Sequence, residues 1–423
     1  MKGYGLLIHL NKSIDLLVEI FMNHIWTRSI YCILFICGLH AANTDPIVLV
    51  HGFLGWGREE ISGTYYWGGE HDIEQFLRNK GYRVITVSLG PISSSYDCAI
   101  ETFYQVKGGQ IDYGQEHSRK YGLDQRPERK KYIGLYPEWD ENHPVHLIGY
   151  SFGGITSRML LYLLNNTFVD DSTGLPNESV LLGSSLPGWV KSITTMSTPH
   201  NGATISNIVT DILPFTDNLL PVANMISTHY YDFDLDHWGI SKEEKESWPL
   251  YLIRLKNHTA WETKNNVGWD SSIQGAKELN DILIIDPTVH YFSYATTASV
   301  LDPVTGFHVP DKHLSWTNYP LCWFMGRNFV DMGNGQSTDS TWFENDGTVN
   351  TVSMVRPFTG NNGPEPIKIF SSSEPIEAGV WHFMGKYQQD HKNFIGFFLD
   401  DKKMVNAMMD RFENHARILY SLP

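Results

Sequence analysis

Short continuous apolar runs alternate along this chain with stretches of helical periodicity. Apolar runs that end at Val50 and that cover 81–89 and 145–149 are typical of buried strands. The stretches V-K-S-I-T-T-M-S-T-P (190–199) and H-Y-F-S-Y-A-T (290–296) are interpreted as further strands. Amphipathic spacing predicts helices over 72–79 and from Phe152 onwards. This alternation predicts an α/β fold with a mainly parallel central sheet flanked by helices.

The N-terminal region has the pattern of a secretory signal. After Arg28, the stretch S-I-Y-C-I-L-F-I-C-G-L-H-A-A (29–42) is apolar and ends in small residues, and it is shorter than the ~20 apolar residues that span a bilayer. We therefore expect a signal peptide over 1–42, export of a single domain over 43–423, and no stable membrane insertion after cleavage. Translation from Met22 would give a signal of ordinary length, and an uncleaved anchor is the alternative interpretation.

Composition narrows the class of protein. Hydrophobic residues make up 42% of the chain, which is enough for a sizeable core. The formal net charge is −15, and the only basic cluster is R-P-E-R-K-K (126–131), which argues against a nucleic-acid partner. Beyond the leader the cysteines are Cys98 and Cys322, and the sequence leaves open whether they form a disulfide or two buried thiols.

The stretch L-I-G-Y-S-F-G-G (147–154) contains the pattern G-x-S-x-G around Ser151. A nucleophile elbow requires a strand that enters, a tight turn and a helix that leaves, with glycines two residues either side of the serine to relieve crowding. The predicted strand and helix meet that requirement. Ser151 is therefore the candidate nucleophile.

A serine hydroxyl needs a base to take its proton, and in α/β-hydrolases the acid and then the histidine follow the serine along the chain. His391 lies in the polar loop Y-Q-Q-D-H-K-N-F-I-G and is the preferred base. His382, beside Trp381, suits packing, whereas His415 suits the charged face of a surface helix.

Asp346 is the preferred carboxylate to orient the histidine, because an Asp-Gly turn can present its side chain. Asp331, Asp339 and Glu344 satisfy the chain order equally well. Asp390, next to the histidine in sequence, is expected to face solvent.

The tetrahedral intermediate of acyl transfer needs N–H donors. We expect the backbone N–H groups of Phe152 and of Phe53, in H-G-F (51–53), to supply them. His51 is expected to be a buried hydrogen-bonding residue that shapes this loop. The apolar segment 202–228 fits either a pair of core-packing helices or a lid that covers the site and opens onto lipid.

Seven further motifs carry a family resemblance. They are P-I-V-L-V-H-G-F-L-G-W-G-R-E-E, Y-Y-W-G-G, L-G-P-I-S-S-S-Y-D, G-G-Q-I-D-Y-G, S-T-P-H-N-G, Y-D-F-D-L-D-H-W-G and W-F-E-N-D-G-T-V-N-T-V-S-M. Together they resemble the secreted thermoalkalophilic bacillar and staphylococcal triacylglycerol lipases, over nearly all of the chain after Asp45.

The resemblance implies an α/β-hydrolase fold with a helical lid and hydrolysis of long-chain acylglycerols. It places Ser151, Asp346 and His391 in the triad and Phe53 and Phe152 at the oxyanion hole. The family usually has A-H-S-Q-G-G or G-H-S-x-G-G around the serine, whereas this chain has Tyr150 and Phe152. Because position 152 donates through its backbone, we expect catalysis to be retained and the acyl pocket to change.

The resemblance also implies a structural zinc bound by two Asp and two His. Asp97, His117 and Asp236 match three of the positions, and Leu123 replaces the second histidine. Asp124 or His237 is a substitute ligand by its chemistry, and a metal-free remnant is the alternative.

For the family's calcium site, Gly306 is kept but Asn393 and Phe398 stand at the acidic positions. Asp400 and Asp401 lie nearby, but hard cations favour charged oxygen ligands, so we expect no calcium there. No organic cofactor is expected.

The sequence therefore predicts a secreted triacylglycerol lipase whose partner is a lipid–water interface. Two alternatives remain open: a short-chain carboxylesterase or phospholipase on the same scaffold, and a catalytically silent lipid-binding protein.

Overall fold

The apolar runs of the sequence form strands in the structure, a computed structural model that describes residues 43–61, 63–170, 173–206, 234–243, 245–333 and 335–423. In chain order the strands of these residues are β1 (Ile47–Val50), β2 (Val84–Thr86), β3 (Gly109–Gln110), β4 (Lys131–Tyr132), β5 (Val145–Tyr150), β6 (Val190–Met196), β7 (His290–Thr297), β8 (Ser299–Leu301), β9 (His308–Pro310), β10 (Asp331–Gly333), β11 (Gln336–Ser337), β12 (Ile367–Ile369) and β13 (Trp381–Gln388). Every strand predicted from an apolar run is present.

Seven of these strands form the central sheet, in the order β12-β13-β7-β6-β5-β1-β2. All neighbouring pairs in it are parallel. Strands β1, β5 and β7 are buried along their whole length. For β1 and β5 this burial explains why the sequence shows mostly apolar runs rather than an alternating pattern. The predicted α/β class and mainly parallel sheet are confirmed.

Helices flank the sheet and fill the crossovers between its strands. Within the described residues they are α1 (Ile73–Asn79), α2 (Ser95–Lys107), α3 (Gln115–Tyr121), α4 (Phe152–Asn165), α5 (Trp248–Lys256), α6 (Val267–Asp270), α7 (Ile273–Ile282), α8 (Tyr319–Met325) and α9 (Lys402–Tyr420). Helix α1 begins where the Asp72 side chain accepts a hydrogen bond from the Gln75 N–H, a standard N-cap. Helix α2 packs against α4, which leaves the C-terminal end of β5.

The carboxyl ends of parallel strands meet at one edge of a sheet, where α/β proteins place their sites. In this protein the loop 51–53 follows β1, Ser151 follows β5, Ser197 follows β6 and His391 follows β13. Sheet topology alone thus collects residues from distant parts of the chain.

Thr44–Leu419 forms one compact unit. The described residues of a second unit are Asn43 and Tyr420–Pro423; there the Asn43 backbone N–H donates to the Tyr420 carbonyl (3.0 Å) and its side-chain amide to the Leu422 carbonyl (2.9 Å). The predicted signal peptide (1–42) and residues 207–228 of the predicted lid lie outside the described residues. The single-domain assignment stays a prediction. No helix in the described parts of the chain is long and apolar enough to cross a membrane.

Candidate active site

Ser151 occupies a sharp turn between β5 and α4. Its backbone has φ 54° and ψ −126°, an unfavourable conformation for a residue with a side chain, as expected of a nucleophile elbow. The turn is possible because its flanks are glycine: a Cβ on Gly149 would lie 2.3 Å from the Gly153 carbonyl oxygen, and one on Gly153 would lie 2.1 Å from the Val50 oxygen. The two glycines predicted to relieve crowding are therefore required by the packing.

Three predicted site residues form a continuous hydrogen-bonded chain. The Ser151 Oγ lies 3.0 Å from His391 Nε2, and His391 Nδ1 lies 2.6 Å from Asp346 Oδ2. All three side chains are buried, and Asp346 is fully so. With Nδ1 donating its proton to the carboxylate, Nε2 is left as the acceptor for the serine hydroxyl, which is the arrangement that general-base catalysis requires.

Asp346 is held from several directions at once. Its Oδ1 accepts hydrogen bonds from the backbone N–H groups of Thr348 (3.0 Å) and Val349 (2.8 Å), the turn expected from the Asp-Gly sequence. Its Oδ2 accepts a second bond from the Thr296 hydroxyl at 2.6 Å, in addition to that from His391. A buried carboxylate that accepts this many hydrogen bonds is fixed in direction.

The other carboxylates that satisfied the chain order lie elsewhere. Asp331 and Asp339 are exposed, and Asp339 accepts from the Thr341 N–H at the start of the short helix Ser340–Trp342. Glu344 pairs with Lys386 at 2.7 Å.

Asp390 was expected to face solvent, and this is wrong. It is 1% exposed, and it accepts hydrogen bonds from the Ser315 N–H (3.1 Å) and the Lys392 N–H (2.8 Å). Burial raises the pKa of Asp390, against the effect of those two N–H donors. Its position is set by a tertiary contact between the His391 loop and residue 315, which the local sequence does not reveal.

The loop after β1 approaches the elbow closely. A Cβ on Gly52 would lie 2.9 Å from the Ser151 Cβ and 3.2 Å from the Phe152 backbone nitrogen. Phe53 follows directly in this loop, and Phe152 is the first residue of α4, so its N–H has no acceptor within its own helix. The structure thus brings the start of α4 and the loop that carries Phe53 close to the nucleophile, and the role of Phe53 and Phe152 at the oxyanion hole stays a prediction.

His51 has the structural role predicted for it. Its Nδ1 lies 2.9 Å from the Gly52 carbonyl, and its Nε2 accepts the Leu89 N–H at 2.8 Å. Burial lowers the pKa of His51 to about 4, so the ring is neutral and donates from Nδ1. His51 therefore braces the loop and does not transfer protons.

The other two late histidines are buried and hydrogen-bonded. His382 packs in β13 and contacts the Glu377 backbone through Nε2, as expected of a packing residue. For His415 the expectation of a charged surface role is wrong. It is fully buried between Thr194 (2.6 Å) and Tyr294 (3.0 Å), and burial lowers its pKa to about 3.

Of the residues predicted to bind zinc, Asp97 and His117 are in contact. Asp97 Oδ1 lies 2.8 Å from His117 Nε2, Asp97 Oδ2 lies 3.4 Å from His237 Nε2, and the Asn265 amide donates to Oδ2 at 2.7 Å. Burial disfavours the charged form of Asp97, but the charge and hydrogen bonds of the two histidines hold its pKa well below the usual range.

Direct hydrogen bonds thus occupy both oxygens of Asp97. The third side chain that approaches Asp97 is His237, the neighbour of the predicted ligand Asp236. Across the described ranges, no group of three or more His, Cys, Asp or Glu side chains could hold a metal ion. The zinc site that the resemblance implies stays a prediction, and no chemical step depends on it.

At the position of the family's calcium site, Asn393 uses its amide as a donor to the Phe397 carbonyl at 3.0 Å. Gly306 lies in a turn in which its N–H donates to the Asp302 carbonyl at 2.9 Å. The expectation that calcium does not bind there stays a prediction. Cys98 and Cys322 are both buried free thiols, which settles the alternative left open by the sequence.

A parallel sheet with a serine at a nucleophile elbow and a histidine and aspartate at its carboxyl edge defines an α/β-hydrolase. The family model described as "Lipase-like, C-terminal domain" matches residues 43–419. The chain belongs to this lipase family, as the resemblance in its motifs implied.

Individual relatives agree with that assignment. Lipase 1 of Staphylococcus aureus strain MRSA252 is 31% identical over 386 residues, which cover 88% of this chain and 54% of the relative. The chain thus spans about half the length of the curated relatives it matches. Among solved structures, EstA from Clostridium botulinum has a TM-score of 0.79 and 32% identity, covering 88% of this chain and 87% of that one. Staphylococcus hyicus lipase has a TM-score of 0.76 and 30% identity, covering 90% and 96%.

Two contacts of the site were not predicted from the sequence. The Thr296 hydroxyl bonds Asp346, and the Tyr150 hydroxyl donates to the His391 carbonyl at 2.6 Å. A signal existed for both, because Tyr150 directly precedes the serine and Thr296 ends a predicted strand whose carboxyl end must lie at the site.

Proposed function

We propose that this protein is a triacylglycerol lipase that uses Ser151, His391 and Asp346 as its catalytic triad. The observation that carries the proposal is the continuous chain of 3.0 Å and 2.6 Å contacts from the serine through the histidine to the aspartate, in a member of a lipase family. The serine supplies the nucleophilic hydroxyl, the histidine the base, and the aspartate the carboxylate that orients the base.

In the first step the Ser151 Oγ attacks the ester carbonyl carbon while His391 Nε2 takes the hydroxyl proton. Asp346 holds the imidazole in the tautomer with Nδ1 protonated and stabilises the positive charge that forms. When the tetrahedral intermediate collapses, His391 returns the proton to the alcohol oxygen of the leaving glyceride. An acyl-enzyme remains on Ser151.

In the second step water attacks the acyl-enzyme. His391 takes a proton from the water as its oxygen bonds to the acyl carbon. The second tetrahedral intermediate then collapses, the bond to the Ser151 Oγ breaks, and His391 returns the proton to that oxygen, which frees the fatty acid and restores Ser151. In both intermediates the negative oxygen accepts hydrogen bonds from the Phe152 and Phe53 backbone amides. Gly52, in the loop that carries Phe53, lies so close to the elbow that even a methyl group on it would collide with the elbow. This close approach supports backbone amides of the loop and of the elbow as the donors.

The substrate and location follow from the family and the leader pattern. Staphylococcus aureus Lipase 1 and Staphylococcus hyicus lipase are lipases by name, which favours acylglycerols over soluble esters. The apolar stretch 29–42 favours secretion, so that the enzyme meets its substrate at a lipid–water interface outside the cell. Residues 202–228 are proposed as the lid that opens there.

A series of glycerol triesters tests the substrate class. Initial rates are measured on emulsions of tributyrin, tricaprylin and triolein, on phosphatidylcholine vesicles, and on a soluble acetate ester. A lipase hydrolyses the triolein emulsion at a rate comparable with tributyrin. Turnover confined to soluble short esters would make the protein a carboxylesterase, and turnover confined to the vesicles a phospholipase.

A further inference from the structure

The residue before the nucleophile holds the backbone of the base. Tyr150 ends β5, and its hydroxyl donates a 2.6 Å hydrogen bond to the main-chain carbonyl of His391, 241 residues further along the chain. The Tyr150 side chain is only 3% exposed, and its ring lies 5.0 Å from the His391 ring, centroid to centroid, at 39°.

This contact links the loop of the base, His391, to the strand that leads into the nucleophile, Ser151. Ser151 is bonded covalently to Tyr150, and the Ser151 Oγ lies 3.0 Å from His391 Nε2. A shift of the His391 backbone away from β5 would therefore lengthen the distance over which the proton moves. The Tyr150 hydroxyl opposes that shift from the serine side, while the His391 N–H donates to the Asp346 carbonyl at 3.3 Å from the acid side.

The surroundings of Tyr150 keep it a hydrogen-bond donor. Its ring lies 6.0 Å from that of Tyr66 and 6.3 Å from that of Trp67, both edge to face, so the side chain is confined by aromatic packing. Burial holds the pKa of Tyr150 well above that of an exposed tyrosine, so the hydroxyl stays protonated at neutral pH.

We propose that Tyr150 is a positioning residue for the ester hydrolysis, which holds the His391 backbone at the distance from Ser151 that proton transfer requires. This inference rests on the proposed function. Tyr150 does not touch the reacting atoms and acts through His391. A family lipase with histidine at this position lacks the phenolic hydroxyl, so the device is specific to chains with tyrosine here.

The test replaces only the hydroxyl, in Tyr150→Phe. The matched control is Tyr104→Phe, because Tyr104 is also 3% exposed and its hydroxyl also makes one hydrogen bond, to the Ser179 Oγ at 3.1 Å. The substrates are tributyrin and a p-nitrophenyl ester. Rates are divided by the number of sites that release p-nitrophenol from a p-nitrophenyl alkylphosphonate, so that misfolded protein is not counted.

We expect kcat per titrated site to fall by about tenfold in Tyr150→Phe, with KM unchanged, since misplacement of the base affects the transition state and not substrate binding. The rate of phosphonylation should fall in parallel. Tyr104→Phe should keep the kcat of the unmodified protein, even if its melting temperature falls as far as that of Tyr150→Phe.

A Tyr150→Phe variant with the unmodified kcat would overturn the positioning role, and so would an equal loss of kcat in Tyr104→Phe. Ser151→Ala separates this outcome from failure of the proposed function. If Ser151→Ala is inactive while Tyr150→Phe is fully active, only the role of Tyr150 is wrong. If Ser151→Ala keeps its activity, the proposed function and the inference fail together.

Discussion

The Thr296 hydroxyl and the His391 imidazole meet on one oxygen of Asp346, each 2.6 Å from Oδ2. Thr296 is the second-last residue of the buried strand β7, and its hydroxyl also lies 2.9 Å from the Ser197 Oγ. Two donors on a single carboxylate oxygen fix the direction from which the imidazole can approach, so Thr296 contributes to the orientation of a base that it does not contact.

Replacement of Thr296 by valine removes that hydroxyl and keeps the side-chain shape. We expect kcat to fall by about fivefold to thirtyfold with little change in KM, because the net value of such a bond is about 1–2 kcal/mol. The neighbouring Thr297→Val is the control, since its hydroxyl makes only a 3.4 Å contact with the Asn345 carbonyl. Steady-state kinetics on tributyrin decide the matter, and equal kcat in both variants would remove Thr296 from the mechanism.

Gly52 tests the placement of the oxyanion donors. In Gly52→Ala the new methyl carbon would lie 2.7 Å from the Tyr150 carbonyl oxygen and 2.9 Å from the Ser151 Cβ, so the loop that carries Phe53 must move. We expect kcat to fall by about 100-fold, the cost of losing one oxyanion donor. The measurement is kcat per phosphonate-titrated site, and an unchanged kcat would place the donors outside this loop.

Asp270 gives the protein a pH-dependent stability. It is buried, it accepts hydrogen bonds from the Ser95 N–H and Oγ at 2.7 Å each, and burial raises its pKa to about 7 despite those bonds. Since the folded pKa exceeds the unfolded one, the folded state binds more protons between the two values. Stability from this group is therefore present below about pH 4 and falls as pH rises to about 7, by about 1 kcal/mol per pH unit.

Asp270→Asn removes that dependence while keeping an oxygen acceptor for Ser95. The melting temperature of the variant minus that of the unmodified protein should rise steadily from pH 4 to pH 7 and then level off. Asp410→Asn, on the exposed face of α9, is the control and should show no such trend. A constant difference between Asp270→Asn and the unmodified chain at every pH would contradict the shifted pKa.

The contacts of Asp97 with His117, His237 and Asn265 lead to a prediction about metal binding. Because His117 and Asn265 already satisfy the Asp97 oxygens at 2.8 and 2.7 Å, we expect the protein to keep its melting temperature and activity after dialysis against EDTA. Zinc content is measured on the purified protein before chelation by mass spectrometry. One zinc per chain, with a fall in melting temperature on its removal, would restore the zinc site that the family resemblance implied.

The strands could be predicted because parallel strands buried on both faces leave continuous apolar runs. Ser151 was predictable from the strand, turn and helix around it, and His391 from the order of serine, acid and histidine along the chain. The strand that precedes His391, β13, was not predicted from the sequence. The choice of Asp346 over Asp339 depended on the Asp-Gly turn, and the structure places its carboxylate 2.6 Å from His391.

What the sequence did not reveal depends on tertiary contacts. Asp390 looked like a solvent-facing neighbour because its burial comes from the distant Ser315. For His415 a signal was present: it follows Met408 by seven residues and Phe412 by three, which is the spacing of one helix face, and all three are buried. The polar neighbours of His415 concealed that periodicity.

The central claim, a serine lipase mechanism through Ser151, is tested most directly by titrating the fatty acid released from emulsified triolein by the full chain and by Ser151→Ala. We expect sustained release by the unmodified protein and a loss of about 1,000-fold or more in the variant, as expected when a triad nucleophile is removed. Release at the same rate by Ser151→Ala, or an unmodified protein that leaves the emulsion intact, would contradict it.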